Sequence, residues 1–273
     1  MSAVYLSSSC RPASRCGKRT EKVAWPSKYS PAALPFNPRA TKSNIVDTRV
    51  GGFSMSSPQR IVYQQGDHVC TLFSSPEEQL KAAVEYIQVG LARGERCLYV
   101  CCEHSVAVFR NELRKAGIDV GAEEKRGALI VITKEDGHLK GGRFDPDKMI
   151  SLLHTAVQGA LDAGFSGLCA AGDMSWVLDE APGTERVAEY ESRLNEFYSS
   201  NRALGLCQYN RNTLPPEMLD HCMATHAYVR IEGPILLENP FFESPEKAMH
   251  RVADIHKVED KLRHFETARR SNA

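Results

Sequence analysis

The stretch Gly172-Asp173-Met174-Ser175-Trp176 holds the densest set of groups able to engage a ligand. Asp173 supplies a carboxylate, Met174 a deformable apolar surface and Trp176 a broad aromatic wall. Cys207-Gln208-Tyr209 adds an amide and a phenol, the kind of polar groups that orient a ligand in a largely apolar pocket. Trp176 and Tyr209 serve equally well as ordinary core, since aromatics at a sheet edge are often structural. An unconventional enzyme site would be drawn from Glu103, Asp173, Glu191 or Cys102.

Familiar catalytic signatures are missing. The turn Phe73-Ser74-Ser75-Pro76-Glu77-Glu78 stands where a phosphate loop would sit, yet it carries two glutamates and neither glycine nor lysine. No two glycines are separated by a single residue, so the dinucleotide fingerprint is absent. Neither a G-x-S-x-G elbow nor an H-E-x-x-H helix occurs. A Ser/His/Asp triad is assembled from distant positions and leaves no such local mark. The sequence therefore predicts no catalytic residues and no cofactor.

The nine cysteines are odd in number and include no C-x-x-C pair. Cys70, Cys97, Cys101, Cys169 and Cys207 lie inside apolar runs, which predicts buried, reduced thiols and a cytoplasmic setting. The nearest zinc-like set is His68 and Cys70 with His221, Cys222 and His226. His221 and His226 diverge on a helix, so this spacing predicts no metal site, and His68 reads as structural.

The elements that position these groups show in the patterning. His68–Phe73 is a β-prone run; Ser75 caps the helix that follows, Pro76 takes its first position and Glu78 closes a capping box. Leu80, Val84, Ile87 and Leu91 recur at helical spacing, and Gly94 ends the helix. Further strands are expected at 97–102, 128–133, 167–171 and 203–209, with an edge strand at Tyr228–Ile231. Helices are expected to end at Gly117 and Gly164, to start at Asp145-Pro146 and Pro215-Pro216, and to run through Val187, Tyr190, Leu194 and Phe197. This alternation predicts an α/β fold: a doubly wound, mainly parallel sheet with helices on both faces. Ligands of such sheets bind beyond the carboxyl ends of the strands. That places Phe73, Glu103, Asp173 to Trp176 and Gln208 to Asn210 at the site, with Phe144 of the Gly141-Gly142 loop as a lid.

The chain has 273 residues and a formal charge of zero that averages two unlike parts. Residues 1–57 hold nine Lys/Arg against two acids, and residues 58–273 hold 25 against 32. An acidic body argues against nucleic-acid binding by the main domain, and no run is apolar enough for a membrane span. Residues 1–57 read as a disordered leader, either untranslated, with Met55 as the natural start, or a transit peptide. Residues 58–244 form the main domain. After Pro245, the residues Ala248, Val252, Ile255, Val258, Leu262 and Phe265 recur at spacings of three or four. They predict one long amphipathic helix over 245–273, folded back on the body or pairing in a homodimer through 245–270.

Several short motifs occur in a fixed order: His68-Val-Cys-x-x-Phe73, Arg93-Gly94-Glu95-Arg96-Cys-Leu-Tyr99, Gly142-Arg-Phe-Asp-Pro146, Gly172-Asp-Met-Ser-Trp176, Tyr190-Glu-x-x-Leu-Asn195, Leu206-Cys-Gln-Tyr209, Thr225-His226 and Asn239-Pro-Phe241. As a set they resemble the MEDS domain (methanogen/methylotroph, DcmR sensory domain) over roughly residues 60–245. The resemblance implies a RecA- or KaiC-like fold that has lost its phosphate loop. It also implies a prokaryotic sensory module for small organic compounds, often tied to transcriptional regulation, with no inherited catalysis. By resemblance Phe73, Met174, Trp176, Glu191, Gln208 and Tyr209 become ligand contacts, and Asp173 stands where some relatives carry Glu. The expected ligand-binding set is thus Phe73, Glu103, Phe144, Asp173, Met174, Trp176, Glu191, Gln208 and Tyr209. The expected function is a cytoplasmic sensory or regulatory module that binds a small, partly apolar ligand and signals to a partner protein. An enzyme and a ligand-free interaction domain are the alternatives.

Overall fold

A seven-stranded sheet organises the computed structural model, which describes residues 63–250 and 252–272. In chain order the elements are β1 (His68–Phe73), α1 (Pro76–Ala92), β2 (Arg96–Cys101), α2 (Val106–Lys115), α3 (Val120–Lys125), β3 (Leu129–Thr133), α4 (Pro146–Asp162), β4 (Leu168–Asp173), α5 (Val187–Ser200), β5 (Ala203–Asn210), α6 (Pro216–Thr225), β6 (Tyr228–Ile231), β7 (Leu236–Glu238), α7 (Pro245–His250) and α8 (Val258–Ser271). The strand order is β3-β2-β4-β5-β1-β6-β7. Every pairing is parallel except that of β6 with β7. This is the doubly wound α/β arrangement that the sequence predicts.

Local chemistry sets the element ends. The Ser75 hydroxyl accepts the Glu78 N–H at 3.2 Å, while the Glu78 carboxylate accepts the N–H and hydroxyl of Ser74, both at 2.8 Å. The first strand-to-helix turn is thus filled by its own carboxylate, in the place where a phosphate-binding chain bares its amides. The Asp145 side chain caps α4 by accepting the N–H groups of Asp147 and Lys148.

The pleat decides which helix covers which face. A Cβ on Gly90 of α1 would lie 2.7 Å from the sulfurs of Cys97 and Cys169, and a Cβ on Gly205 of β5 would lie 2.2 Å from the Tyr198 ring of α5. Cys169 is paired with Leu204, and Ala170 with Gly205. Successive strand residues point to opposite faces, so α1 and α5 lie on opposite sides. On the α1 side α2 packs against α1 and β3, and on the other side α4 and α6 flank α5.

Two elements lack a visible sequence signal. Both α3 and β7 are too short for a period to show. The C-terminal segment also differs from the single helix expected: α7 ends at His250 and α8 begins at Val258 after a 3-10 turn, Ile255–Lys257. The buried Asp220 carboxylate holds the break, accepting the Asp254 N–H at 2.8 Å. Val252, assigned to the apolar stripe, is 92% exposed. The expectations for the leader and for Met55 fall outside the described residues. No helix among the described residues is long and apolar enough to cross a membrane.

Candidate functional site

Two adjoining features lie on the sheet face covered by α4, α5 and α6. The first is a cavity of about 30 Å³ between β2, β4, β5 and the helices α4 and α5, walled by Val100, Met149, Leu153, Met174, Tyr190 and Cys207. His138 also lines it and stacks on Trp176, with ring centroids 5.0 Å apart and planes at 14°. Phe144 packs on the same indole at 4.5 Å, and Tyr190 meets Phe144 edge-on at 5.4 Å. His138 lies over Gly172, where a Cβ would stand 3.1 Å from its Cε1, so glycine permits the approach. Burial pushes the His138 imidazole down to about 4, which keeps the ring neutral at pH 7. Its Nδ1 and the Trp176 Nε1 are buried with no hydrogen-bond partner.

The second feature is a buried cluster of His68, Glu191, Cys207 and His226, whose candidate ligand atoms all lie within 4.8 Å of one another. His68 Nε2 and His226 Nε2 each stand 3.3 Å from Glu191 Oε2. Cys207 Sγ is 3.5 Å from His68 Nε2. The two imidazoles pack with centroids 3.9 Å apart, and Tyr209 meets His226 edge-on at 5.8 Å. Burial, with His226 beside it, pushes His68 down to about 4. Cys207 belongs both to the cavity wall and to this cluster. Two nitrogens, a sulfur and a carboxylate oxygen are donors suited to a metal ion.

The sheet divides the residues expected to form one site. Met174 lines the cavity, Trp176 and Phe144 stack behind the His138 ring that lines it, and Glu191 and Tyr209 lie at the buried cluster. Gln208 points to the α1 face, where its Oε1 accepts the Tyr99 hydroxyl at 2.8 Å and its Nε2 donates to the Gln79 carbonyl at 3.0 Å. Phe73 faces that side too by the same alternation. Asp173 accepts the Glu103 N–H at 2.8 Å, the Ser175 N–H at 3.0 Å and the Ser175 hydroxyl at 2.6 Å. It caps the turn Met174–Asp179, and the Glu103 side chain beside it is exposed. Phe144 is only 1% exposed, and its N–H donates to the Pro182 carbonyl at 2.9 Å. It packs as a member of the aromatic stack, and the lid expected from its glycine-rich loop would have to leave that stack to open. Burial pushes the Cys101 thiol to about 12 and the Cys102 thiol to about 11, so neither is an activated nucleophile.

His68, His138, Cys207 and His226 were not among the residues expected at the site. Alternation along β5 carries a signal for one of them, since Cys207 shares a face with Tyr209. His68 joins that face because it pairs with Gly205. The zinc-like set weighed from spacing held His68 and His226 but completed it with Cys70, His221 and Cys222, none of which is in the cluster.

The MEDS family, described as the methanogen/methylotroph, DcmR sensory domain, matches residues 67–227. The chain is 29% identical over 182 residues to the transcriptional repressor DcmR of Methylorubrum extorquens. That match covers 66% of this chain and 62% of the repressor, so the chain spans less than two thirds of its relative's length. Among solved structures, a KaiC-like protein from the hyperthermophilic archaeon Pyrococcus horikoshii OT3 superimposes with a TM-score of 0.42 at 14% identity, over 61% of this chain and 71% of that one.

Proposed function

The chain belongs to the MEDS family of sensory domains, and from that premise we propose that it is a regulatory receptor for a very small, partly apolar organic molecule held in the cavity beside Trp176. The carrying observation is a mostly apolar space lined by His138, whose buried Nδ1 has no hydrogen-bond partner, with the equally unpartnered Trp176 Nε1 on the indole stacked against that ring. Its size bounds the ligand. About 30 Å³ exceeds the ~10–15 Å³ one water needs and falls far short of the ~150 Å³ cavity that takes benzene. A molecule of about two or three heavy atoms fits.

The route outward runs through α5. Tyr190 walls the cavity, and α5 packs against α6 and α7. A ligand that displaces Tyr190 would shift surface elements on which a partner protein can act. The curated relative is a transcriptional repressor, which supports a role in transcriptional regulation through such a partner. The free thiols of the described residues agree with a cytoplasmic setting. A catalytic reading has less support, because Asp173 is occupied in capping and Cys102 stays protonated.

Trp176 emission and the melting temperature, followed while one- and two-carbon alcohols, halides and amines are titrated, test the reading. At least one class should give a saturable change and raise the melting point, because it binds only the folded state. Ala170 also lines the cavity, so Ala170→Leu fills it and should abolish both effects in a chain that still folds. A panel that moves neither signal, or a response equal in the filled variant, defeats it.

A further inference from the structure

We propose that His68, Glu191, Cys207 and His226 form a four-ligand site for a divalent transition-metal ion of the zinc class. The hydrogen bonds behind the two imidazoles fix their tautomers. Asn195 Nδ2 donates to the carbonyls of Thr225 at 2.7 Å and Glu191 at 3.2 Å. Its Oδ1 therefore faces His68 as an acceptor, and His68 Nδ1, 3.2 Å away, carries the proton. A backbone carbonyl only accepts, so His226 Nδ1 donates to the Cys222 carbonyl at 2.8 Å. The Thr225 hydroxyl beside it is occupied in donating to the His221 carbonyl at 2.9 Å. Both Nε2 atoms are left without a proton and face the same carboxylate oxygen at 3.3 Å; among the described residues the one other group on them is the Cys207 sulfur, 3.5 Å from His68 Nε2.

Acceptors thus confront acceptors in the buried interior. Neither oxygen of Glu191 nor His226 Nε2 has a hydrogen-bond partner, and Glu191 and His226 are 3% and 0% exposed. Such groups are costly to bury unless something positive lies between them. A tetrahedral ion with arms of about 2.1 Å separates its ligand atoms by about 3.4 Å; three of the six spacings here are 3.3, 3.3 and 3.5 Å, and all lie within 4.8 Å. A ligating histidine normally donates its other ring N–H to a carbonyl or amide oxygen, which is what Cys222 and Asn195 accept here. The four donors come from β1, α5, β5 and the residue that ends α6. An ion there ties the sheet to two of its covering helices. It does not depend on the small-molecule reading, although Cys207 touches both features.

The full chain, expressed in medium supplemented with Zn²⁺ because the site is sealed, should carry one equivalent of metal. X-ray absorption at the zinc edge should show one sulfur near 2.3 Å and three nitrogen or oxygen neighbours near 2.0–2.1 Å. Expression with Co²⁺ instead should give intense visible bands of a tetrahedral site and a near-ultraviolet thiolate charge-transfer band. Cys207→Ser should lose the charge-transfer band and keep the visible ones, and Glu191→Gln should weaken metal retention at least tenfold. A folded wild-type chain without stoichiometric metal overturns the proposal and leaves a proton in the ion's place. Two or more sulfurs at the metal, or a charge-transfer band that survives Cys207→Ser, also overturns it by pointing to the Cys70 and Cys222 thiols. Should Cys207→Ser fail to fold, the sulfur count of the wild-type chain still decides.

Discussion

His138 stays neutral because it is buried between Trp176 and Gly172, and this fixes the sign of its effect on stability. Unfolded, the ring binds a proton near its ordinary value of 6.5; folded, it does so only at about 4. Between those values the unfolded chain holds more protons, so stability falls as pH drops through the window and is fully present above it. The loss attributable to this ring approaches the order of 3 kcal/mol. His138→Phe keeps an aromatic ring on Trp176 and cannot titrate. Urea midpoints measured from pH 7.5 to 4.5 should fall less steeply for the variant, and an unchanged slope would mean that His138 already meets solvent. The sequence displayed Met174, Trp176 and Phe144 through local motifs; Phe144 and Trp176 do pack together, and Met174 lines the cavity next to them. It gave no sign that His138 lies flat on Trp176, since a loop residue carries no periodicity to announce its contact. Gln208 and Tyr209 show the opposite case. Treating neighbours in a strand as one site ignored the two-residue repeat that sends them to opposite faces.

Glycine at 205 lets α5 settle on β5. A Cβ there would lie 2.2 Å from Tyr198 Cζ, inside the ring's own volume, so α5 would be pushed outward along with Tyr190 and Glu191. Gly205→Ala should lower stability by about 1–3 kcal/mol in urea unfolding followed by far-ultraviolet circular dichroism. Gly159 of α4 is the counter-example: its nearest neighbour to an added Cβ is the flexible Arg96 side chain at 3.4 Å. Gly159→Ala should be neutral or stabilise by up to about 1 kcal/mol. Equal losses at both positions would refute the packing argument. Element starts and stops were readable because caps and left-handed glycines are local chemistry, as at Ser75, Asp145 and Gly94. The break between α7 and α8 was not, because the group that holds it, Asp220, sits on α6. An uninterrupted apolar spacing from Ala248 to Phe265 cannot reveal a tertiary partner that captures one backbone N–H.

The last helix closes one end of the body by burying its own stripe. Val258, Leu262 and Phe265 are all buried, α8 packs against α6, β6 and β7, and Phe265 meets Phe241 edge-on at 5.6 Å. A homodimer through 245–270 would have to strip these residues from the chain that already covers them. The anchor is the buried ion pair of Lys261 with Asp220, and Asp220 also holds the Asp254 N–H. Removing the lysine takes one countercharge from the buried Asp220 carboxylate, and breaking a buried ion pair is destabilising. Lys261→Ala should therefore loosen α8, speed proteolysis within 251–257, and raise the apparent mass in light scattering as the released stripe finds a second copy. Wild-type chain at the same concentration should not associate through this helix. A wild-type dimer lost on deletion of 258–273 would show that the stripe serves an interface in solution instead of the chain's own core.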